Sequence, residues 1–538
     1  MERTKKRNGF ASGIGFILAA AGSAIGLGNL WSFPYKTSEN GGAAFVLTYI
    51  LSVIVMGSIV MIAEIYIGKR AQANPVSAYK KVNKNLGWLG LFAVIVPLII
   101  LCYYSVLGGY TVKYTLNSFN RNSEILASFT GNIPEVIMYT AIFLVLAVAV
   151  VMGGVKNGIE KVSKILMPAL FVILFLTAVY CLCLGEGVKD GLNYYLNPDF
   201  TALGFTGVLA AMSQAFFSLS LGMGIMVSYG SYAGKEINVG KSVSMICVFD
   251  TLVALFAGLA IFPAIYHYRA VYGVELTDRG IVLLFSSLPL VFDNLGWFGE
   301  VVSFFFFGMV SIAAITSVIS LLEVVTQFVI QKFGADRKKA ILIVAAICFA
   351  VSVPVSISLG FALNAAEGTE AAMQIFGLNL LDFLDMLTNS VLMPLCALGS
   401  CLAIGWLLSP SRGKTAANPS ALKRELEKDG LKLGKFGGYF AVMVKYITPL
   451  LIAAIEVFGV IDIVFPSGEG GRIFSSDGLG VVLTAYILFA LTVAVYFIFF
   501  RNGYTGCNAD ERLREDFSAS ADVVLPEEEK EENREGEE

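Results

Sequence analysis

Twelve stretches of this chain are apolar over the ~20 residues that a helix needs to cross a bilayer, and that recurrence decides what it can fold into. Their approximate limits are 11–37, 42–70, 88–118, 135–153, 161–185, 207–232, 241–268, 298–332, 339–360, 378–408, 442–465 and 481–500, separated by charge clusters and Gly, Pro or Asn punctuation. Hydrophobic residues make up 56% of the 538 positions and charged residues 15%, with a mean hydropathy of +0.74, which is too apolar for a water-soluble fold. The first stretch is too long, and is followed by too much membrane sequence, to be a cleaved signal peptide. The expected fold class is an all-α membrane protein of about twelve transmembrane helices. Residues 1–10 form its N-terminal segment, 11–500 the membrane domain and 501–538 an acidic tail.

Charge excludes several functions. A net charge of -3 from 38 basic and 41 acidic residues gives no ground for a nucleic-acid partner. A single histidine, His267, rules out His-rich metal sites and fits poorly with a Ser-His-Asp or Cys-His centre, so no enzyme is expected. Seven of the eight cysteines lie in or beside apolar stretches, where they read as small buried hydrophobes, so neither a disulfide framework nor a zinc site is expected. With the N-terminus inside, 31 Lys and Arg residues fall on the inner side and six on the outer, so both termini are expected in the cytoplasm at the cell's inner (plasma) membrane. The inner loop 409–441 contains SALKRELEKDG, a short surface helix by composition; the tail from Leu525 reads as disordered; and 276–296, apolar with Pro289, reads as a re-entrant or capping hairpin on the outer side.

Two stretches carry a G-x-G beside polar side chains near their centres: Gly22 to Asn29 (GSAIGLGN) in the first and Ser218 to Gly224 (SLSLGMG) in the sixth. They are five spans apart, which reverses their direction and makes 1–5 and 6–10, about 11–185 and 207–408, an inverted repeat. Glycines in membrane helices also serve close packing, and that reading stays open. If both helices break there, half-helix N-termini present N–H groups to an anion, and freed carbonyls with the Asn29 and Ser218 oxygens suit a hard cation. An amino-acid zwitterion with sodium fits such a site. Asp250, in the seventh stretch, has no basic residue within a turn or two, so a bound cation and a protonated or water-linked carboxyl are the two readings of it. Thr316 and Ser317 follow small residues in the eighth stretch, where hydroxyls either ligate an ion or bond back to their own helix.

GSAIGLGNLWSFP at Gly22–Pro34, Glu39-Asn40-Gly41-Gly42, QAFFSLSLGMG at Gln214–Gly224 and the Ala313–Ser317 run together resemble the neurotransmitter:sodium symporters, above all their bacterial amino-acid members, over about residues 10–500. The resemblance implies two sodium sites and no organic cofactor. The first would use the Ala24 carbonyl, Asn29, Ser218, Asp250 and the substrate carboxylate. The second would use the carbonyls of Gly22, Ile25 and Ala313 with the Thr316 and Ser317 hydroxyls. Both are oxygen-only sets, as a hard cation requires. It implies that the substrate carboxylate meets the N–H groups of Leu27 and Gly28 and the Tyr104 hydroxyl. The amine would meet the carbonyls of Ala24, Phe217 and Ser218, with Ser220 nearby and Phe217 as a lid. Gly26 stands where biogenic-amine carriers have an Asp, which favours an α-amino acid. Met223 replaces a more common Phe, which leans towards aromatic or large aliphatic substrates, with Ile100, Val318 and Leu321 as apolar walls.

The resemblance also shows where this chain departs. Asp250 occupies a position where many relatives carry Asn, and Ala254 one where chloride-dependent relatives carry Ser, beside Tyr49, Gln214 and Ser218; a fixed carboxylate there is expected to make transport chloride-independent. The usual outer-gate Arg is Ser32, which leaves Asp385 without that partner. At the inner gate Arg7 is present but its acid is Gln331, so Phe10, Tyr232, Tyr104 and Phe217 are expected to close the gates by packing. Gly158 and Pro168 match a segment that unwinds in bacterial relatives to let water reach the second sodium; a static kink is the alternative. The expected function is sodium-coupled import of an α-amino acid by alternating access. A transport-inactive, sodium-dependent amino-acid sensor is the alternative. The lipid bilayer and the amino acid are the expected partners, and the oligomeric state is not legible.

Overall fold

The computed structural model describes residues 9–120, 125–234, 236–274, 280–295, 297–365, 372–408, 419–428, 431, 433–434, 436–468, 471–472 and 474–500. Arg7, the tail 501–538 and residues 275–279 of the outer segment lie outside the described residues. Among those described, eleven helices are long and apolar enough to cross a membrane, and a pair bent by 50° makes a twelfth. In chain order they are span 1 (Gly13–Ala24 with Gly28–Glu39), span 2 (Ala43–Ala71), span 3 (Gly87–Asn117), span 4 (Ile133–Met152), span 5 (Val155–Leu182) and span 6 (Phe200–Ser218, continued by Ile225–Ser231). Span 7 (Val239–Tyr272), span 8 (Phe298–Phe333), span 9 (Arg337–Leu363), span 10 (Leu380–Gly405), span 11 (Phe436–Val464) and span 12 (Ser476–Phe500) follow. Residues 1–493 form one compact unit; of the second, 494–538, only the apolar helix end 494–500 is described.

Several starts are fixed by side-chain caps that satisfy otherwise unpaired N–H groups: Ser12 accepts from Gly15, Asp199 from Thr201, Asn238 from Lys241, Asp336 from Lys338 and Asn379 from Asp382. Span 6 begins at Phe200, earlier than its hydropathy suggests, because Gly204 (φ 59) kinks one extra turn onto it. Span 3 is buried along most of its length. Tyr103, Tyr110 and Tyr114 are fully buried there, and Tyr114 packs on Phe307 of span 8 at 5.0 Å between ring centres. Spans 4, 5, 9 and 11 instead expose Val145, Val172, Leu342 and Leu450. Lipid solvates such a surface at no cost, and it places these spans at the periphery.

Spans 2 and 6 touch backbone to backbone. A Cβ on Gly68 would lie 1.8 Å from the Val227 carbonyl oxygen, and one on Gly230 would lie 2.4 Å from that of Ile65. The outer segment differs from expectation: its described part runs as one short helix, Gly280–Val282, Leu283–Ser287 and Leu288–Asp293, rather than a hairpin. Leu284, Phe285, Leu288 and Val291 bury one side of it, so a single helix hides its apolar residues. Pro419–Lys428 is helical, as its composition suggests. Two small hairpins, Gln374–Ile375 with Leu378–Asn379 and Ser467–Gly468 with Gly471–Arg472, have no counterpart in the sequence reading.

Candidate functional site

Span 6 stops at Ser218 and resumes at Ile225. Between them Ser220 (φ 53), Gly222 (φ 73) and Gly224 (φ 65) take left-handed backbone. Glycine is required twice over at 222 and 224, since a Cβ would come within 2.3 Å of the Met393 carbonyl oxygen and 2.5 Å of that of Ala93. One freed amide, Gly222 N–H, donates to the Glu64 carboxylate of span 2 at 3.0 Å, and the Ser400 hydroxyl joins it at 3.3 Å. Glu64 is fully buried, and sequence reasoning passed over it. Its signal was available: an acid inside an apolar stretch marks a cost that structure must offset. Span 1 breaks at Ile25, whose extended backbone (ψ 102) follows Ala24. Gly26 and Gly28 serve proximity there: a Cβ on Gly26 would sit 2.6 Å from the Ser317 hydroxyl and 2.7 Å from that of Tyr104, and one on Gly28 would sit 3.0 Å from the Phe217 ring.

The two breaks flank a narrow cavity of about 20 Å³. Ala24, Gly28, Ile100 and Tyr104 line it, as do Phe217, Ser220, Met223 and Leu321. Leu27 and Ser218 stand just behind the wall: Leu27 N–H donates to the Tyr104 hydroxyl at 2.9 Å, and Ser218 turns to Asp250. Val318 does not line the cavity. It follows Ser317 by one residue, roughly 100° around the helix, and is buried on another face. Ser320 and Leu321, three and four residues past Ser317, share its face, and Ser320 joins the lining with Ser23 and Ile225, none of which was expected.

Asp250 of span 7 is fully buried, and every side chain bonded to it is neutral. Asn29 Nδ2 donates to Oδ1 at 2.8 Å, the Tyr49 hydroxyl to Oδ2 at 2.8 Å, and the Ser218 hydroxyl lies 2.8 Å from both oxygens. Gln214 is turned away from them: its amide donates to the Gly28 carbonyl at 2.8 Å and its oxygen accepts from Ser32 at 2.9 Å. On span 8 Thr316 bonds back to the Ile312 and Ala313 carbonyls at 3.1 and 3.0 Å, while Ser317 lies 3.2 Å from the Ser23 carbonyl and 3.3 Å from that of Ala313. Both hydroxyls donate to backbone, and Ser317 is also hydrogen-bonded to the Tyr104 hydroxyl. Gly22 lies under Met167 of span 5, with a Cβ 3.2 Å from the sulfur. Span 5 is wound from Gly158 through Pro168, as a π-helix over Val155–Glu160 and an α-helix over Lys161–Leu182. Glu160 accepts from Ala11 N–H at 2.6 Å and the Ser12 hydroxyl at 2.9 Å, so this segment covers span 1 from Ala11 to Gly22.

Below the cavity Phe10 donates its N–H to the Tyr232 carbonyl at 3.2 Å and packs edge-on against Phe16 and Tyr229. The Tyr232 hydroxyl donates to Glu323 at 2.8 Å, and Arg337 binds the same carboxylate at 2.5 Å. Gln331 does different work, accepting from the Asn74 N–H and side chain at 2.7 and 2.9 Å. Charge is therefore present on this side, carried by Glu323 rather than at position 331. Above the cavity Asp385 accepts from Asn389 at 2.6 Å and has Tyr103, Lys36 and a second carboxylate, Asp382, among its polar neighbours. Lys36 lies one turn beyond Ser32, so a cation stands near Asp385 after all.

A family model described as the sodium:neurotransmitter symporter family matches residues 7–128 and 125–502. The chain belongs to that family. The symporter is 34% identical over 467 residues to an uncharacterized sodium-dependent transporter, YhdH, of Bacillus subtilis (strain 168), covering 84% of this chain and 98% of the relative. It is 31% identical over 514 residues to a second, MJ1319 of Methanocaldococcus jannaschii, covering 92% and 96%. Among solved structures it resembles the crystal structure of MhsT in complex with L-phenylalanine, with 35% identity and a TM-score of 0.74 over 84% of this chain and all of the other. The symporter is a sodium-dependent membrane transporter of the 5+5 inverted-repeat fold with helices 1 and 6 broken, and it is not an enzyme.

Proposed function

We propose that the symporter imports hydrophobic or aromatic α-amino acids into the cell by alternating access, driven by two sodium ions and without chloride, at a plasma membrane with both its termini in the cytoplasm. The observation that carries this reading is the Asp250 carboxylate, buried among Asn29, Tyr49 and Ser218 with only neutral donors bonded to it. A buried carboxylate without a basic partner is costly, and a sodium ion beside it offsets that cost. Ala24, Asn29, Ser218 and Asp250 supply the first sodium; Gly22, Ile25, Ala313, Thr316 and Ser317 supply the second. All donors are oxygens, which suits sodium. The substrate carboxylate meets the Leu27 and Gly28 N–H groups and the Tyr104 hydroxyl, the amine meets the Ala24, Phe217 and Ser218 carbonyls, and Phe217 closes over it. The phenylalanine bound to MhsT supports an amino-acid substrate.

Chloride independence is supported by the side chains that would otherwise hold the anion. Ser218 and Tyr49 are spent on Asp250, Gln214 on Gly28, and Ala254 has no hydroxyl. Phe10 and Tyr232 with the Glu323–Arg337 pair form the inner gate, and Asp385 with Lys36 belongs to the outer one. Arg7, expected at the inner gate, lies outside the described residues. The test is uptake of a panel of labelled amino acids into proteoliposomes under sodium, potassium and chloride-free buffers. Saturable, sodium-dependent uptake that persists without chloride is expected. Sodium-dependent binding with no counterflow would overturn import in favour of a sensor.

Unwinding between Gly158 and Pro168 would uncover span 1 and release the second sodium. Proline removes one helical hydrogen bond and strains the preceding turn. Pro168→Ala is therefore expected to slow turnover several-fold while leaving equilibrium sodium affinity unchanged, as read by uptake rate against sodium-dependent binding. An unchanged rate would make the proline a static kink.

A further inference from the structure

We propose that Glu160 is a positioning residue that latches the N-terminal end of span 1 to span 5, so that the first turn of span 5 to unwind also frees span 1 to swing open. The inference rests on the reading above that the stretch from Gly158 to Pro168 unwinds during transport. Glu160 closes the π-helical turn Val155–Glu160, two residues past Gly158. Its side chain is buried, whereas Lys164, one turn on, is exposed. Three donors hold the carboxylate: Ala11 N–H at 2.6 Å, the Ser12 hydroxyl at 2.9 Å and the Lys164 ammonium at 2.6 Å.

Two of those donors lie where span 1 starts. Ser12 caps the helix by accepting from Gly15 N–H at 3.0 Å while its own proton goes to Glu160. The carboxylate therefore sits at a helix N-terminus, where negative charge is favoured. Gly15 leaves room for it, since a Cβ there would overlap the Glu160 carboxyl. Seven residues further along each helix, Met167 lies on Gly22 in the same manner. Seven residues are close to two turns, so Glu160 and Met167 share one face of span 5, and Gly15 and Gly22 one face of span 1. The two spans run side by side in that register, with the carboxylate at one end of the seam and Met167 beside the Gly22 carbonyl proposed for the second sodium. The neighbouring amide, Phe10 N–H, goes instead to the Tyr232 carbonyl at the end of span 6, at 3.2 Å. Consecutive amides leading into span 1 are thus fastened to two different spans, and swinging span 1 outwards breaks both holds. Bonds to an ionised acceptor are the stronger kind, which makes Glu160 the main fastening.

Hydrogen–deuterium exchange and uptake by the full-length protein in proteoliposomes test this. Two variants loosen the latch by different means. Glu160→Gln keeps the size and removes the charge, whereas Gly15→Ala pushes the carboxyl off span 1 and leaves it paired with Lys164; the second carries the test alone if the first does not fold. Each is expected to speed exchange of amides 11–22 in sodium by about tenfold or more, the range of a hydrogen bond to a charged group, with span 3 amides unmoved. Half-saturating sodium is expected to rise by a comparable factor while the maximal uptake rate holds or rises, because sodium favours the closed form that the latch secures. Amides 11–22 that keep their wild-type protection in the folded variants, equal acceleration of span 3, or a lowered maximal rate at unchanged sodium dependence would overturn the latch and leave unwinding standing. Wild-type amides 158–168 that exchange equally slowly with and without sodium would overturn the unwinding reading, and this inference with it.

Discussion

Asp250→Asn is expected to lower sodium-driven uptake in chloride-free buffer by about a hundredfold or more, and added chloride is expected to restore much of it. The wild-type carboxylate faces three neutral donors, Asn29, Tyr49 and Ser218, each within 2.8 Å of an oxygen. With a sodium ion beside it, this is a compensated buried pair. Removing the negative partner leaves a bare cation in the protein, and breaking such a pair costs roughly 3–5 kcal/mol, or about two to three and a half decades in affinity. The asparagine amide is close in size, so Tyr49 and Ser218 are freed to turn their donors to an external anion. Measuring initial uptake rates across a chloride series at fixed sodium checks this. Full activity of the variant without chloride would show that the carboxylate does not balance the ion.

The second large effect is expected at Gly26. A Cβ there would lie 2.6 Å from the Ser317 hydroxyl and 2.7 Å from that of Tyr104, closer than packed atoms approach. Gly26→Asp adds a charge to that crowding, directed at the place where the substrate carboxylate is proposed to sit, and two carboxylates at such range repel strongly. Amino-acid uptake is expected to fall to background. Gly26→Ala, with the crowding alone, is expected to retain a measurable part of it. Comparing both variants for uptake, with monodispersity in detergent as the folding control, separates charge from volume. Robust amino-acid transport by Gly26→Asp would remove the proposed carboxylate position.

Most of the spans were legible because the bilayer demands a fixed length of apolar helix, and that demand is written locally. The break in span 6 was legible for a related reason: Gly222 and Gly224 are tolerated at that depth only with irregular backbone or close packing, and here both apply. What escaped the sequence depends on partners far away in the chain. Glu64 meets Gly222 across 158 positions and Ser23 meets Ser320 across 297. The Glu323–Arg337 pair was missed for a different reason: Gln331, in place of an acid, pointed to packing alone on the inner side, and the charge lies at other positions. Val318 shows the cost of reading a helix by proximity alone. It adjoins Ser317, yet the rotation per residue takes it off the cavity while Ser320 and Leu321 return to it. The outer segment was too apolar for a loop, but whether that meant a hairpin or one helix depended on a surface for it to lie on.

The mutual contact of Gly68 and Gly230 bears on how such a machine can flex. At that contact main chain is pressed on main chain with no side chain between, which holds the lower portion of the sixth rod close against the second. Whatever displacement accompanies a transport cycle is thereby channelled into the short loop from Ser218 to Gly224, which becomes the joint of a two-piece lever whose long arm is two rods thick.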